Sequence, residues 1–405
     1  MKYKVSKNIS ITGFEEYVDE NIPPQYKQGY YILNNKLGDN EFLINESIKY
    51  FIDKFSPPKT KDEVLESIKT DLKYRGDEID KTCASFFDFL CKKKILLPED
   101  DDEKILTTKP LFSIGDNNGD LTVEKILSEG QYIDVYLVYN KATTTRYIVK
   151  LLDKNKTLNP DIYKDELIDI EREFRLLDNI KHVPYICHAI TLNKENEEFA
   201  YIVIEYFEGN SLSRFLRETE GATKQDCNKI IEKVLHAFSL LHNSKVVHGD
   251  IHTSNILINK NKDLKIIDMG LSHSLEWENN ELLTFGGVSF YMPPERINIS
   301  SIKKHKQRPD HYSDVYQIGI IMYFILYRKL PFDGFIWEDL SKNIIEADIK
   351  YPKNSFLNYQ VPAEMIKIFR KCLSKNPEDR FINATDILEA YKSNGVLENE
   401  QLVNQ

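Results

Sequence analysis

Apolar positions along the chain change period, and the change marks its parts. Near the start they alternate in Tyr30-Tyr31-Ile32-Leu33-Asn34 and Glu41-Phe42-Leu43-Ile44-Asn45, on either side of a turn containing Gly38, which predicts a hairpin. They then recur every three to four residues over 46–55, 60–74 and 77–93, which predicts three helices. Ser56-Pro57-Pro58 stops the first, Thr60 and Glu63 form a capping-box signature for the second, and Ile95-Leu96-Leu97 predicts a short closing strand. The acidic, proline-bearing stretch 97–104 has neither period and reads as a boundary. Beyond it, alternating β-branched residues over 123–126, 135–138, 147–151 and 201–204 predict a small antiparallel sheet, interrupted by one helix over 162–180. After Leu212 the pattern is mostly helical, with helices near 223–242, 312–327, 362–373 and 383–392. The predicted class is α+β, bilobal, with a ligand in the cleft between a sheet lobe and a helical lobe. The expected divisions are a small domain 1–98, a linker 99–119, a main domain 120–395 and a flexible polar tail 396–405.

Composition narrows the picture. In 405 residues, 29% are charged and 41% hydrophobic, as in a soluble globular protein. The longest apolar run, 318–327, is too short to span a bilayer and reads as a buried helix, so no membrane partner is expected. The N-terminus is positively charged but has no apolar stretch behind it, unlike a secretory signal. Five scattered cysteines without C-x-x-C spacing predict reduced thiols and a cytoplasmic location. A net charge of −10 argues against a general nucleic-acid binder.

The chemistry concentrates in His248-Gly249-Asp250-Ile251-His252-Thr253-Ser254-Asn255 and in Asp268-Met269-Gly270. Two carboxylates and an amide stand at fixed spacing, H-x-D-x-x-x-x-N and then D-x-G eighteen residues after the first Asp. Phosphoryl transfer from a magnesium-bound nucleotide needs such a set: Asp250 to accept or orient a hydroxyl proton, Asn255 and Asp268 to hold Mg²⁺.

On these motifs, residues about 120–392 resemble the protein kinase family, in particular the eukaryotic-like Ser/Thr kinases of bacteria. The resemblance implies that Lys150, in Ile148-Val149-Lys150, meets the phosphates of ATP and pairs with Glu173 on the following helix. It places Glu205 and Phe207 in the hinge that meets adenine, with Val135 and Leu257 on either side of the purine and Leu127, Gly130 and Ile148 nearby. Pro293-Pro294-Glu295 resembles the A-P-E motif, Arg380 its ion-pair partner, and 313–319 the helix that anchors the catalytic loop. Departures are equally plain. Only Gly130 survives of the glycine-rich loop, Ile148 replaces a small residue, and Val288 replaces a threonine. Gly249 replaces the arginine that pairs with a phosphorylated activation loop, so activity independent of loop phosphorylation is expected, with Thr284 and Ser289 as candidate sites. His252 stands where a lysine usually touches the transferred phosphate; it is a candidate phosphate contact, and similar to small-molecule kinases. The basic run 303–308 reads as a solvated loop or as a site for an acidic substrate.

The N-terminal pattern of two strands, three helices and a closing strand resembles winged-helix, PqqD-like peptide-recognition elements. That resemblance implies capture of a leader peptide by strand addition, with Phe42, Leu43 and Ile44 as candidate contacts. Segment 77–93 mixes acidic and basic residues, unlike a DNA-recognition helix. The leading expectation is an ATP- and Mg²⁺-dependent kinase for Ser/Thr of a leader-bearing precursor peptide. Other readings are a regulatory Ser/Thr kinase with an N-terminal docking domain, a nucleotide-binding pseudokinase scaffold, a small-molecule kinase, and a plain structural N-terminal appendage.

Overall fold

The computed structural model describes residues 1–13, 30–35, 40–72, 77–101, 109–156, 160–195, 198–218, 223–275, 289–297, 310–332 and 337–393. They belong to two compact units, one of residues 1–113, 126–135 and 152–164, the other of 114–125, 136–151 and 165–405.

In the first unit the predicted hairpin forms as Tyr30–Asn35 and Asn40–Asn45, with Ile32 opposite Leu43. A further strand, Ile9–Gly13, pairs antiparallel with Tyr30–Asn35, which leaves Asn40–Asn45 at one edge of the three-stranded sheet. Helices Glu46–Asp53, Lys61–Leu72 and Asp77–Lys92 follow. Thr60 and Glu63 close the expected capping box: the Thr60 N–H donates to Glu63 Oε2 at 2.8 Å and the Glu63 N–H to Thr60 Oγ1 at 3.2 Å. The closing strand, Leu96–Pro98, finds its partner in Lys2–Val5, a strand that alternation does not predict. Four residues, half of them lysine, carry too little pattern; register comes from partners at positions 59–60 and 96–98, far along the chain. Phe51, Ile52, Phe55, Val64, Ile68, Phe87, Leu90, Ile95 and Leu96 fill the core. Each such side chain contributes roughly 1.5–3 kcal/mol by leaving water.

The main sheet has six strands in the order Ala189–Asn193, Phe199–Glu205, Arg146–Asp153, Ile133–Asn140, Leu121–Glu129 and Asn117–Asn118. The four predicted strands are present and longer than their apolar cores. Ala189–Asn193 escaped prediction because Ile190, its middle apolar residue, is 56% exposed, so its alternation does not mark a buried face. The helix Pro160–Asn179 starts with proline at its first position, where the missing N–H is not needed.

The helical part contains Leu212–Glu218, Lys224–Asn243, His311–Tyr327, Trp337–Glu346, Ala363–Cys372 and Ala384–Ser393. Thr223 and Asp226 make a second capping box at the start of Lys224–Asn243. His311–Tyr327, capped by Asp310, is buried almost throughout, as its continuous apolar run requires. Among the described residues no helix is long and apolar enough to cross a membrane. All five cysteines are free thiols, three of them buried.

Candidate active site

The catalytic-loop sequence is held from below by the helix His311–Tyr327. Asp314 Oδ2 accepts the His248 N–H at 2.7 Å and Oδ1 accepts the Gly249 N–H at 2.9 Å. One turn further on, Gln317 Oε1 accepts the Ile251 N–H at 3.0 Å. His242 Nδ1 accepts the Ala384 N–H at 3.0 Å, so its other nitrogen carries the proton and donates to Asp314 Oδ2 at 3.1 Å. Asp314 is fully buried, and these donors compensate the burial, keeping its carboxyl below the usual range. Gly249 has φ +80°, a backbone conformation that suits glycine. Burial holds the His248 imidazole below its ordinary value.

Within this loop the Asn255 amide donates to the Asp250 carbonyl at 3.0 Å, which leaves Asn255 Oδ1 as the atom available to a cation. The Ile267 N–H donates to the Asn255 carbonyl at 2.9 Å and so ties the loop to the D-x-G segment. Asp268 has φ +63°, uncommon for a residue with a Cβ, and is held there by its side-chain contacts. Lys150 Nζ lies 2.9 Å from Asp268 Oδ1 and 2.7 Å from Glu173 Oε1, and Glu173 Oε1 also accepts the Met269 N–H at 3.2 Å. The expected Lys150–Glu173 pair is therefore formed, and Asp268 joins it. Burial disfavours the Lys150 charge, but Asp268 and Glu173 outweigh it and raise the ammonium above the lysine norm. In return the ammonium pulls the Asp268 carboxyl well below the usual range. The Asp268 side chain is 50% exposed, against 6% for Glu173, so its second oxygen has room for another ligand. An ionised carboxylate and an amide oxygen on linked segments suit Mg²⁺, which takes few protein ligands and completes its shell from phosphate and water.

His252 caps the turn Thr253–Asn255. Its Nδ1 accepts the Ser254 N–H at 3.3 Å, and its Nε2 lies 3.6 Å from Asp250 Oδ2. The structure thus places the candidate phosphate contact beside the candidate base. Glu205 directs its carboxylate to Lys265 at 3.2 Å and donates its N–H to the His188 carbonyl at 2.9 Å. Ile148, Phe207 and Leu257 are half-buried at the strand, hinge and hairpin positions expected for them.

In the other unit, Leu127 and Val135 lie on the strand pair flanking Gly130, with Leu127 45% exposed. A Cβ at Gly130 would stand 2.1 Å from the Ile133 carbonyl oxygen, so only glycine fits that turn. Lys156 bonds the Gly130 carbonyl at 3.0 Å and forms a fully buried ion pair with Asp134. Phe42, Leu43 and Ile44 fall on the edge strand Asn40–Asn45. Thr284, Val288 and the run 303–308 lie outside the described residues.

Two contacts had no signal in the sequence. Arg172 donates to the Gly270 carbonyl at 2.9 Å and Arg296 to the Gly249 carbonyl at 2.6 Å. Glu295 and Arg380 form the expected two-pronged pair, at 2.8 and 2.7 Å.

The family model described as protein kinase domain matches residues 121–391. The chain is 27% identical over 295 residues to the serine/threonine-protein kinase cds1 of Schizosaccharomyces pombe, covering 72% of this chain and 61% of that protein. It is 29% identical over 271 residues to CBL-interacting protein kinase 10 of Oryza sativa subsp. japonica, covering 66% and 55%. The carbon catabolite-derepressing protein kinase of Saccharomyces cerevisiae is 30% identical over 245 residues, covering 60% and 36%. The chain therefore spans less than two thirds of the length of each of these relatives.

Proposed function

The chain belongs to the protein kinase family, with a domain of the Ser/Thr kinase type, and on that premise we propose that it transfers the γ-phosphate of ATP to Ser/Thr hydroxyls of a peptide or protein. The observation that carries the reading is the Lys150 bridge between Glu173 and Asp268, beside a loop that holds Asp250 and Asn255 in order. A pseudokinase would have no need to keep all five groups in place.

In this reading the family's motifs assign the division of labour, and the geometry supports it. Lys150, braced by Glu173, offers a permanent cation to the α- and β-phosphates. Asn255 and Asp268 would hold Mg²⁺, which supplies charge neutralisation between the phosphates when bound. Asp250 accepts the hydrogen bond of the acceptor hydroxyl and orients its oxygen toward the γ-phosphorus. His252, next to Asp250, is the assigned donor to the transferred group. Leu127, Gly130, Val135, Ile148, Glu205, Phe207 and Leu257 are assigned to the nucleotide by their place in the family's motifs.

The acceptor is proposed to be a ribosomally made precursor peptide whose leader the N-terminal unit captures. The support is a three-stranded sheet leading into three helices, a winged-helix-like succession, with Asn40–Asn45 presenting an edge. An extended leader adds to such an edge through backbone hydrogen bonds. Free cysteines throughout fit a reducing, cytoplasmic setting. The test is transfer of labelled γ-phosphate from Mg·ATP to a cognate precursor with and without its leader. Transfer to both at equal rates removes the capture role, and no transfer to any peptide or protein removes the kinase reading.

A further inference from the structure

The family's usual arginine is missing from the catalytic loop, yet the loop is not left without a guanidinium. Gly249 occupies the position, and Arg296, from the turn Pro294–Arg296 just past the activation segment, donates to the Gly249 carbonyl at 2.6 Å. Burial disfavours the charge of this guanidinium, and the carboxylates of Asp250, Asp314 and Glu295 offset part of that cost. A second arginine does the same for the metal segment. Arg172 is 1% exposed, pairs with Asp169 at 2.7 Å and donates to the Gly270 carbonyl at 2.9 Å. Its neighbour Glu173 takes the Met269 N–H, so two successive residues of the helix Pro160–Asn179 grip two successive residues of Asp268-Met269-Gly270. Burying a guanidinium is expensive unless its charge and donors find partners: Arg172 sets one terminal nitrogen on Asp169 and the other on the Gly270 carbonyl, and Arg296 sets one on the Gly249 carbonyl.

We propose that Arg296 and Arg172 are positioning residues, which hold the catalytic loop and the metal segment in their working conformation without a phosphate on the intervening segment. The proposal rests on the kinase reading above and deepens it. In kinases that carry the loop arginine, a phosphate added downstream supplies the counter-charge that orders the site. Here the cation comes from downstream and the acceptor is the loop's own backbone, so no modification is needed to complete the contact. Neither arginine touches nucleotide or acceptor in this scheme. Each acts through the backbone of a segment that does.

The experiment uses the full chain, treated with phosphatase and then freed of it, with Mg·ATP and dephosphorylated casein as the probe acceptor. The expected result is undiminished transfer by the treated wild type. Arg296→Ala should lose roughly ten- to a hundredfold in kcat, the scale of a catalytic group displaced by about 1 Å, with KM for ATP within about twofold. Arg296→Lys should recover part of the loss, and Arg172→Gln should lower kcat about tenfold. Loss of wild-type activity on phosphatase treatment, or an unchanged kcat in Arg296→Ala, overturns the proposal. Should the wild type transfer nothing to casein, hydrogen exchange with bound Mg·ADP decides the clamp separately from the kinase reading. Protection of residues 249–255 that is lost in Arg296→Ala supports it, and equal protection in both proteins overturns it.

Discussion

Lys150 carries two obligations at once. Its ammonium balances a Glu173 carboxylate that is only 6% exposed, and it shapes the charge at Asp268. Lys150→Met should therefore abolish transfer and also destabilise, by about 3–5 kcal/mol, because it strands a buried charge. The double variant Lys150→Met with Glu173→Leu should regain most of the stability and none of the activity, since removing both partners of a buried pair is close to neutral. Thermal melting and transfer assays on the same samples separate the two. Gly130→Ala should raise KM for ATP and lower the melting temperature, because its Cβ has no space beside Ile133. The family resemblance made these residues legible, through the lysine of Ile148-Val149-Lys150 with a glutamate on the following helix, and through an aspartate five residues before an asparagine. It could not reveal Arg172 or Arg296, which reach carbonyls 98 and 47 residues away. No local period links a side chain to so distant a backbone atom.

Elements were legible where they bury a face of their own. The helices Lys224–Asn243 and His311–Tyr327 announce themselves by apolar content, and their caps follow from Thr223 and Asp310. Lys2–Val5 and Ala189–Asn193 do not, because partners define them more than pattern does. Two predictions belong at this scale. Glu295 and Arg380 tie the turn Pro294–Arg296 to the segment before the last helix, and Arg380 also bonds the carbonyls of Tyr312 and Ser374. Arg380→Ala should cost about 3–5 kcal/mol, measured by denaturant unfolding. At the head of His311–Tyr327, His311 stacks on His242 with ring centroids 4.1 Å apart. Burial, then the neighbouring His242, push the His311 imidazole down to about 4. A group whose folded value is depressed contributes stability that is whole above its unfolded value, near 6.5, and lost as pH falls toward 4. Acidification from pH 7 to 5 should lower the melting temperature of the wild type more than that of His311→Gln. The full effect is on the order of 3 kcal/mol.

For the whole molecule, the proposed economy is a kinase that finds its acceptor by holding another part of the same peptide. Tethering turns acceptor binding into an intramolecular event and can raise apparent affinity by about 10²–10⁴ without any new contact in the cleft. A leader-bearing peptide should thus show a KM at least tenfold below its leaderless form, with kcat little changed, as read from initial rates. A substrate's identity cannot be read from the edge of a sheet, because backbone pairing accepts many sequences and the side-chain pockets carry the choice. The claim beneath all of this is phosphoryl transfer at Asp250 and Asp268. Its most direct measurement is incorporation of labelled γ-phosphate into peptide Ser or Thr by the wild type, Asp250→Asn and Asp268→Ala, each with Mg²⁺ and with chelator. The account predicts incorporation by the wild type with Mg²⁺ alone; equal incorporation by either variant, or none by the wild type, would contradict it.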